Sequence, residues 1–228
     1  MLTPSEQNYI KAIYKIAEGL PSTERVNTNS IAEVMNNRAA SVTDMIKKLA
    51  EKGHLHYEPY TGVQLSDKGM DEAKKLIRKH RLWETFLFDK LGFSWDEVHQ
   101  LAEELEHLES EKLTDRLADF LGHPNFDPHS DPIPDKYGSF PIQSEKLLLD
   151  MRPRDKALIV GVKLHSPEFL QFLDSLDLRL GSPITCIQSY SFDDSTEIAT
   201  DQNQRLVLSS KVGRNVLVQL TTTDSPHN

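Results

Sequence analysis

Between Ser30 and Leu65 the chain runs SIAEVMNNRAASVTDMIKKLAEKGHLHYEPYTGVQL, a succession of apolar spacings that fits one architecture. Ser30 to Met35 predicts a short helix with Ile31 and Val34 inward. Asn36-Asn37-Arg38 is a tight turn. From Ser41 to Lys52 apolar residues recur at helical spacing, with Val42, Met45, Ile46 and Leu49 inward, and Gly53 stops the helix. Leu55 and Tyr57 alternate with polar residues, Pro59-Tyr60-Thr61-Gly62 turns the chain, and Val63 and Leu65 alternate on the return, as in a hairpin. Helix, turn, helix, hairpin is the order of a winged helix-turn-helix. Arg38, Ala39, Ala40, Ser41, Thr43 and Asp44 place small side chains, hydroxyls and a free amino end where a helix would enter a major groove. Lys47 and Lys48 can add phosphate contacts, and Tyr60 and Thr61 at the hairpin tip can touch flanking backbone. The same fold also serves protein contacts, so pattern alone leaves both uses open.

Upstream, Thr3, Pro4 and Glu6 form a capping box for a first helix. Tyr9, Ile10, Ile13, Tyr14, Ile16 and Ala17 make its buried face, and Gly19-Leu20-Pro21-Ser22 ends it. Downstream, Ser66-Asp67 caps a long helix reaching about Leu91. Ser94-Trp95-Asp96-Glu97 is a second capping box, predicting a helix to about Leu108, and Ser110 starts another that ends at Gly122-His123-Pro124. Residues 122–142 hold five of the twelve prolines and read as a connector. Beyond it Leu158, Val160, Val162 and Leu164 alternate. Ser166-Pro167-Glu168 opens a short helix with Phe169, Phe172, Leu173 and Leu176 on one side. Ile184, Ile187, Ile198, Leu206, Leu208, Val216 and Val218 mark short strands of a small barrel. The expected fold is mainly α with a small β domain: a winged helix-turn-helix over 1–72, a helical domain over 73–142 and a barrel over 150–222.

Composition narrows the classes. The chain has 228 residues, 38% hydrophobic and 27% charged, as in a globular protein. No apolar run approaches a membrane span, and Met1 to Glu6 lacks the basic region and apolar core of a secretory signal, so a cytoplasmic location is expected. Cys186 is the single cysteine. It excludes an internal disulfide and a thiolate-rich metal site, and reads as a small buried hydrophobe. The net charge of −9 is uneven: residues 1–80 hold 12 basic and 10 acidic residues, the remainder 14 and 25. The N-terminal third can therefore approach phosphate, while the acidic remainder is available for cations.

His99, Glu103, Glu106 and His107 fall at i, i+4, i+7 and i+8 on one predicted helix, within roughly a 100° arc. His80 and Glu84 are i, i+4 partners on the preceding helix. Imidazole and carboxylate from two neighbouring helices make a workable divalent-cation site. A solvated polar face, with His80 as a satisfied core histidine, is the alternative. A metalloenzyme is a second class of reading, although no Gly-rich phosphate loop, nucleophile elbow or HExxH motif occurs. A DNA-binding protein indifferent to metal is a third.

With these residues in view, the sequence resembles the diphtheria-toxin-repressor/manganese-transport-regulator family of metal-activated repressors. The stretches carrying the likeness are Thr3 to Ile10, Arg78-Lys79-His80-Arg81-Leu82-Trp83-Glu84, Val98-His99 with Glu103-Glu104-Leu105-Glu106-His107, and the Pro-rich run from Gly122 to Pro134. Leu180-Gly181-Ser182 fits the family's SH3-like, FeoA-type barrel. The resemblance implies a primary metal site at Glu103, Glu106, His107 and Asn8, and a second at His80, Glu84 and His99, with His165 and Glu168 as barrel donors. Iron-sensing members carry a cysteine where Glu103 stands, so the carboxylate resembles the manganese-sensing branch. The position of Asn8 usually holds Asp or Met; Asn offers a carbonyl oxygen without charge. His123 and His129 are expected to be structural, since the connector is read as bringing no carboxylate cluster. The implied cofactor is Mn²⁺, with Fe²⁺ the alternative and Zn²⁺ or Co²⁺ as substitutes in vitro. The implied partners are palindromic operator DNA and a second copy of the chain, with no membrane and no small organic substrate. The implied targets are metal-uptake genes.

Overall fold

The computed structural model describes residues 2–21, 23–141 and 146–222; Ser22 and the expected boundary at residue 142 lie outside the described residues. The chain forms two compact units: Met1–His80 with Glu103–Leu117 and Pro134–Phe140, and Arg81–Ala102 with Ala118–Ile133 and Pro141–Asn228.

The first unit begins with α1 (Pro4–Glu18). Its capping box forms as the sequence predicts: the Glu6 N–H donates to Thr3 Oγ1 at 3.3 Å, and the Thr3 N–H donates to Glu6 Oε2 at 2.8 Å. Then come α2 (Thr28–Val34), α3 (Ala39–Glu51), β1 (Leu55–Glu58) and β2 (Gly62–Leu65). The hairpin is antiparallel, in register from Leu55↔Leu65 to Glu58↔Gly62. Val26 adds a single bridge to Val63. Gly62, at φ +115, is required here, because a Cβ would lie 2.8 Å from the Val26 carbonyl oxygen. Tyr9, Ile10, Ile13, Ile31, Val42, Ile46, Leu49, Leu55 and Val63 share one core. Val34 departs from expectation: it is 59% exposed. The seven-residue α2 ends on it; Ile31 is that helix's fully buried residue, with Ala32 packed beside the core.

Three more helices follow: α4 (Asp67–Leu91), α5 (Val98–Leu105) and α6 (Glu111–Phe120). Ser66 Oγ accepts from the Gly69 N–H at the start of α4, and Ser110 Oγ from the Leu113 N–H at the start of α6. The helix expected to last to Leu108 stops at Leu105. Glu106 and His107 therefore lie in the turn after α5 rather than on its regular face.

The second unit holds β3 (Lys146–Leu147), β4 (Lys156–Val162), α7 (Pro167–Ser175), β5 (Pro183–Tyr190), β6 (Ser195–Thr200), β7 (Arg205–Leu208), α8 (Ser210–Gly213) and β8 (Val216–Thr222). Six strands pair antiparallel in the order β3-β8-β4-β5-β6-β7. Register shifts in β4–β8 and β5–β6 add the local twist that a small barrel needs. Its core gathers Leu148, Ile159, Val162, Leu170, Leu173, Leu178, Ile198 and Val216. Cys186 is buried in β5, as expected. In β4 the expected alternation holds only in part: Val162 is buried in the core, but so are Ala157 and Ile159, while Leu158 and Val160 are half-buried. In α7 the buried residues are Leu170 and Leu173, while Phe172 is exposed.

Candidate functional site

The outer end of α3 presents Arg38, Ala39, Ala40, Ser41, Asp44, Lys47 and Lys48 to solvent. Thr43 is half-buried, its hydroxyl donating to the Ala39 carbonyl at 2.9 Å. Asn37 steadies the turn before α3, donating from Nδ2 to the Tyr9 hydroxyl at 3.1 Å. Lys48 is not wholly available to phosphate, since it pairs with buried Glu6 of α1 at 3.0 Å. Lys52 pairs with the same carboxylate at 2.7 Å. At the hairpin tip Tyr60 and Thr61 are exposed, Tyr60 with φ +67.

The first unit assembles Glu103, Glu106 and His107 with residues of α1. His107 Nδ1 lies 2.7 Å from Gln7 Oε1. An amide oxygen only accepts, so Nδ1 carries the proton and Nε2 the lone pair. Burial holds the His107 pKa below its ordinary value, against the pull of Glu106 and Glu103, which favours the neutral ring a metal requires. Glu106 is fully buried, and its Oε2 lies 2.6 Å from His80 Nδ1. Lys11 Nζ donates to Glu103 Oε1 and Glu106 Oε2, each at 2.6 Å. Two side-chain oxygens in this set, Glu106 Oε1 and Asn8 Oδ1, are buried without a hydrogen-bond partner. Buried oxygens in that condition cost free energy unless a cation satisfies them.

The second unit assembles another set. Ligand atoms of Glu84, Asp127 and His129 lie within 4.8 Å of one another, and all three residues are buried. His99 Nδ1 is 2.9 Å from Glu84 Oε1. His129 Nε2 donates to the Trp95 carbonyl at 2.8 Å and its Nδ1 faces Glu84 Oε2 at 3.8 Å; burial lowers the ring's pKa, but Glu84 and the Trp95 carbonyl outweigh it and hold the value above the ordinary one. His129 Nδ1 and Asp127 Oδ2 are buried without hydrogen-bond partners. Burial and the neighbouring Glu84 push the Asp127 carboxyl well above the usual carboxylate range. The His165 ring stacks on His129 at 4.6 Å. Its Nε2 donates to the Val162 carbonyl at 3.1 Å, and burial takes its pKa down to about 4. Glu168 is exposed in the first turn of α7 and stays out of the compact set. Oxygen and imidazole donors with unsatisfied buried atoms fit a divalent first-row cation in both units.

Three stretches of the chain match known families: residues 1–63 "Iron dependent repressor, N-terminal DNA binding domain", residues 66–135 "Iron dependent repressor, metal binding and dimerisation domain", and residues 146–220 "FeoA domain". An uncharacterised HTH-type transcriptional regulator of Methanocaldococcus jannaschii is 33% identical over 53% of this chain and 94% of its own length. The HTH-type transcriptional regulator MntR of Oceanobacillus iheyensis is 33% identical over 54% of this chain and 81% of its own. The chain belongs to the DtxR/MntR family of metal-dependent transcriptional repressors. The solved structure of a manganese-dependent transcriptional repressor in complex with manganese covers 94% of this chain and 99% of its own, with 33% identity and a TM-score of 0.80. Membership makes the protein a DNA-binding, metal-dependent repressor with a dimerisation domain, not an enzyme.

Sequence reasoning missed four members of these sets. Gln7 and Lys11 are not obvious ligand types, but both stand on α1 one turn from Asn8 or closer, and a search of that face for polar residues finds them. Asp127 and His129 come from the connector read as lacking a carboxylate cluster; their Asp-Pro-His spacing was the available signal. His80 takes its named partners, Lys11 and Glu106, from the first unit.

Proposed function

We propose that this repressor holds its regulatory cation with Glu103, Glu106, His107 and Asn8, and a second cation with Glu84, Asp127 and His129, joined by His99 and His165. The observation that carries the reading is the pair of buried, partnerless oxygens, Glu106 Oε1 and Asn8 Oδ1, beside a His107 ring whose tautomer Gln7 sets. The donor set is oxygen-rich and free of thiolate, which supports Mn²⁺, with Fe²⁺ as the alternative and Zn²⁺ or Co²⁺ as in-vitro substitutes. When bound, a divalent cation supplies the positive charge that offsets the mutual repulsion of Glu103 and Glu106.

The chain's own residues carry out the coupling. Asn8 and Gln7 belong to α1, whose Glu6 is ion-paired to Lys48 of α3 and to Lys52, which caps that helix. Ordering α1 against Glu106 and His107 therefore orders the reading helix. Arg38, Ala39, Ala40, Ser41, Thr43, Asp44 and Lys47 meet the DNA, with Tyr60 and Thr61 on flanking backbone. In a symmetric pair of chains, two such helices must match major grooves one turn apart, about 34 Å. The operator is then palindromic, and the regulated genes serve metal uptake in the cytoplasm. We assign DNA reading to 1–72, metal binding and dimerisation to 73–142 and the FeoA-type module to 150–222.

The test is DNA binding across a Mn²⁺, Fe²⁺ and Zn²⁺ series, using a duplex selected from random sequence in the presence of Mn²⁺, with a chelator as control. Retardation should require metal, and Glu106→Gln or His107→Ala should abolish it while the dimer persists in sedimentation. Equal binding with chelator and with Mn²⁺ would overturn the assignment.

A further inference from the structure

Lys11 is a charged side chain with almost no solvent: the residue is 5% exposed. Its Nζ lies 2.6 Å from Glu103 Oε1, 2.6 Å from Glu106 Oε2 and 3.2 Å from His80 Nδ1. Burying an ammonium costs several kcal/mol unless opposite charge faces it. Here two carboxylates do, and both are proposed metal ligands. The contact spans 92 and 95 residues of sequence, from α1 to the end of α5.

We propose that Lys11 is a tethered competitor for the regulatory cation. Its ammonium neutralises part of the Glu103/Glu106 charge within the same chain, so an incoming divalent ion must displace or tolerate it. The geometry supports this in two ways. Charge-assisted bonds as short as 2.6 Å occupy one oxygen of each carboxylate, while Glu106 Oε1, the other oxygen of the buried one, is left unsatisfied. The tether also makes the competitor's local concentration independent of the medium, so the ion threshold belongs to the protein. The consequence is a repressor that responds at a higher free-ion concentration than its donor set alone would dictate. The same bonds join α1 to Glu103 and Glu106 before any ion arrives, which keeps two repelling carboxylates together in the metal-free chain.

This inference rests on the metal reading of Glu103 and Glu106, and the experiment separates the two. Mn²⁺ binding to the full-length chain is followed by calorimetry and by the electron paramagnetic signal of free Mn²⁺. Four proteins are compared: wild type, Lys11→Met, Lys11→Gln, and Glu106→Gln, the last to identify the step that belongs to this cluster. Met keeps the length of the aliphatic stem and Gln keeps donor atoms; both remove the charge. Both should tighten that step about tenfold or more, equivalent to about 1.4 kcal/mol. Both should also lower the melting temperature of the chelated protein. Unchanged or weaker Mn²⁺ binding in the folded variants overturns the competitor role. Failure of both variants to fold overturns it as well, since the ammonium is then a required strut. If no Mn²⁺ step is lost in Glu106→Gln, the metal reading of this cluster fails instead.

Discussion

Glu6 links the capping of α1 to the proposed reading helix α3 through one carboxylate. It closes the capping box of α1 and binds Lys48 of α3 and Lys52 at that helix's C-cap. The Lys52 hydrogen bond, opposed by burial and aided by Thr3 and Lys48, takes its pKa from 4.5 to about 2. A folded-state value below the unfolded one means that Glu6 stabilises the fold above about pH 4.5, and that this contribution is lost as pH falls toward 2. In chelator, the urea midpoint of wild type should exceed that of Glu6→Gln by a constant margin above pH 4.5, and the margin should shrink steadily below it. A margin indifferent to pH would remove the ion pairs from the account. The capping half of this arrangement was legible in the sequence, because Thr3-x-x-Glu6 is a local pattern. The pairing to α3 was not, since contacts 42 and 46 residues away depend on how two helices pack. Lys11 escaped notice for a related reason: as a cation it does not belong to a list of ligand types, and only its place beside Glu103 and Glu106 gives it a part in metal chemistry.

Periodicity located α1, α3, the hairpin, α4 and α6, because each has a cap or a glycine stop that acts within one turn. It overran α5, where Glu106 and His107 continue a helical spacing that the backbone abandons at Leu105. In β4 it picked out buried Val162 but missed Ala157 and Ile159. Leu158 and Val160 stay half-buried, whereas Ala157 and Ile159 enter the barrel core and Gly161 lies against the connector. Gly161 matters for what it lacks. A Cβ there would overlap the His129 carbonyl oxygen and the Ser130 Cβ, and Ser130 Oγ donates to the Val160 carbonyl beside it. The bare backbone of β4 thus seats the Asp127-Pro128-His129 turn. Gly161→Ala should push that turn away and destabilise the fold by about 1–3 kcal/mol, as overpacking does. It should also weaken Mn²⁺ binding at the Glu84/Asp127/His129 set several-fold and leave the Glu106 step intact. Gly19→Ala, whose Cβ finds nothing nearer than 3.6 Å, is the control expected to change little. Full second-site affinity in Gly161→Ala would show that the turn is held by other contacts.

At the scale of the whole chain, charge and metal chemistry are unevenly shared. Residues 1–80 carry a small positive excess and the remainder a large negative one, so the acidic part gains most from cations. Each compact unit contains its own cluster of proposed ligands with buried polar atoms that lack hydrogen-bond partners, Asn8 and Glu106 in one, Asp127 and His129 in the other. A ligand that binds only the folded state adds stability as RT ln(1 + [ion]/Kd), about 2.7 kcal/mol when the free ion stands at 100 times Kd. Mn²⁺ should therefore raise the unfolding free energy in two separable increments, and chelator should remove both. Glu106→Gln should delete one increment together with metal-dependent DNA binding. Asp127→Asn should delete the other and leave metal-dependent DNA binding in place, though at higher Mn²⁺. Differential scanning calorimetry of the three proteins, with and without Mn²⁺, measures this. If either substitution alone erases the entire metal-induced stabilisation, the two clusters do not hold ions independently, and the assignment of one regulatory and one supporting site has to be abandoned.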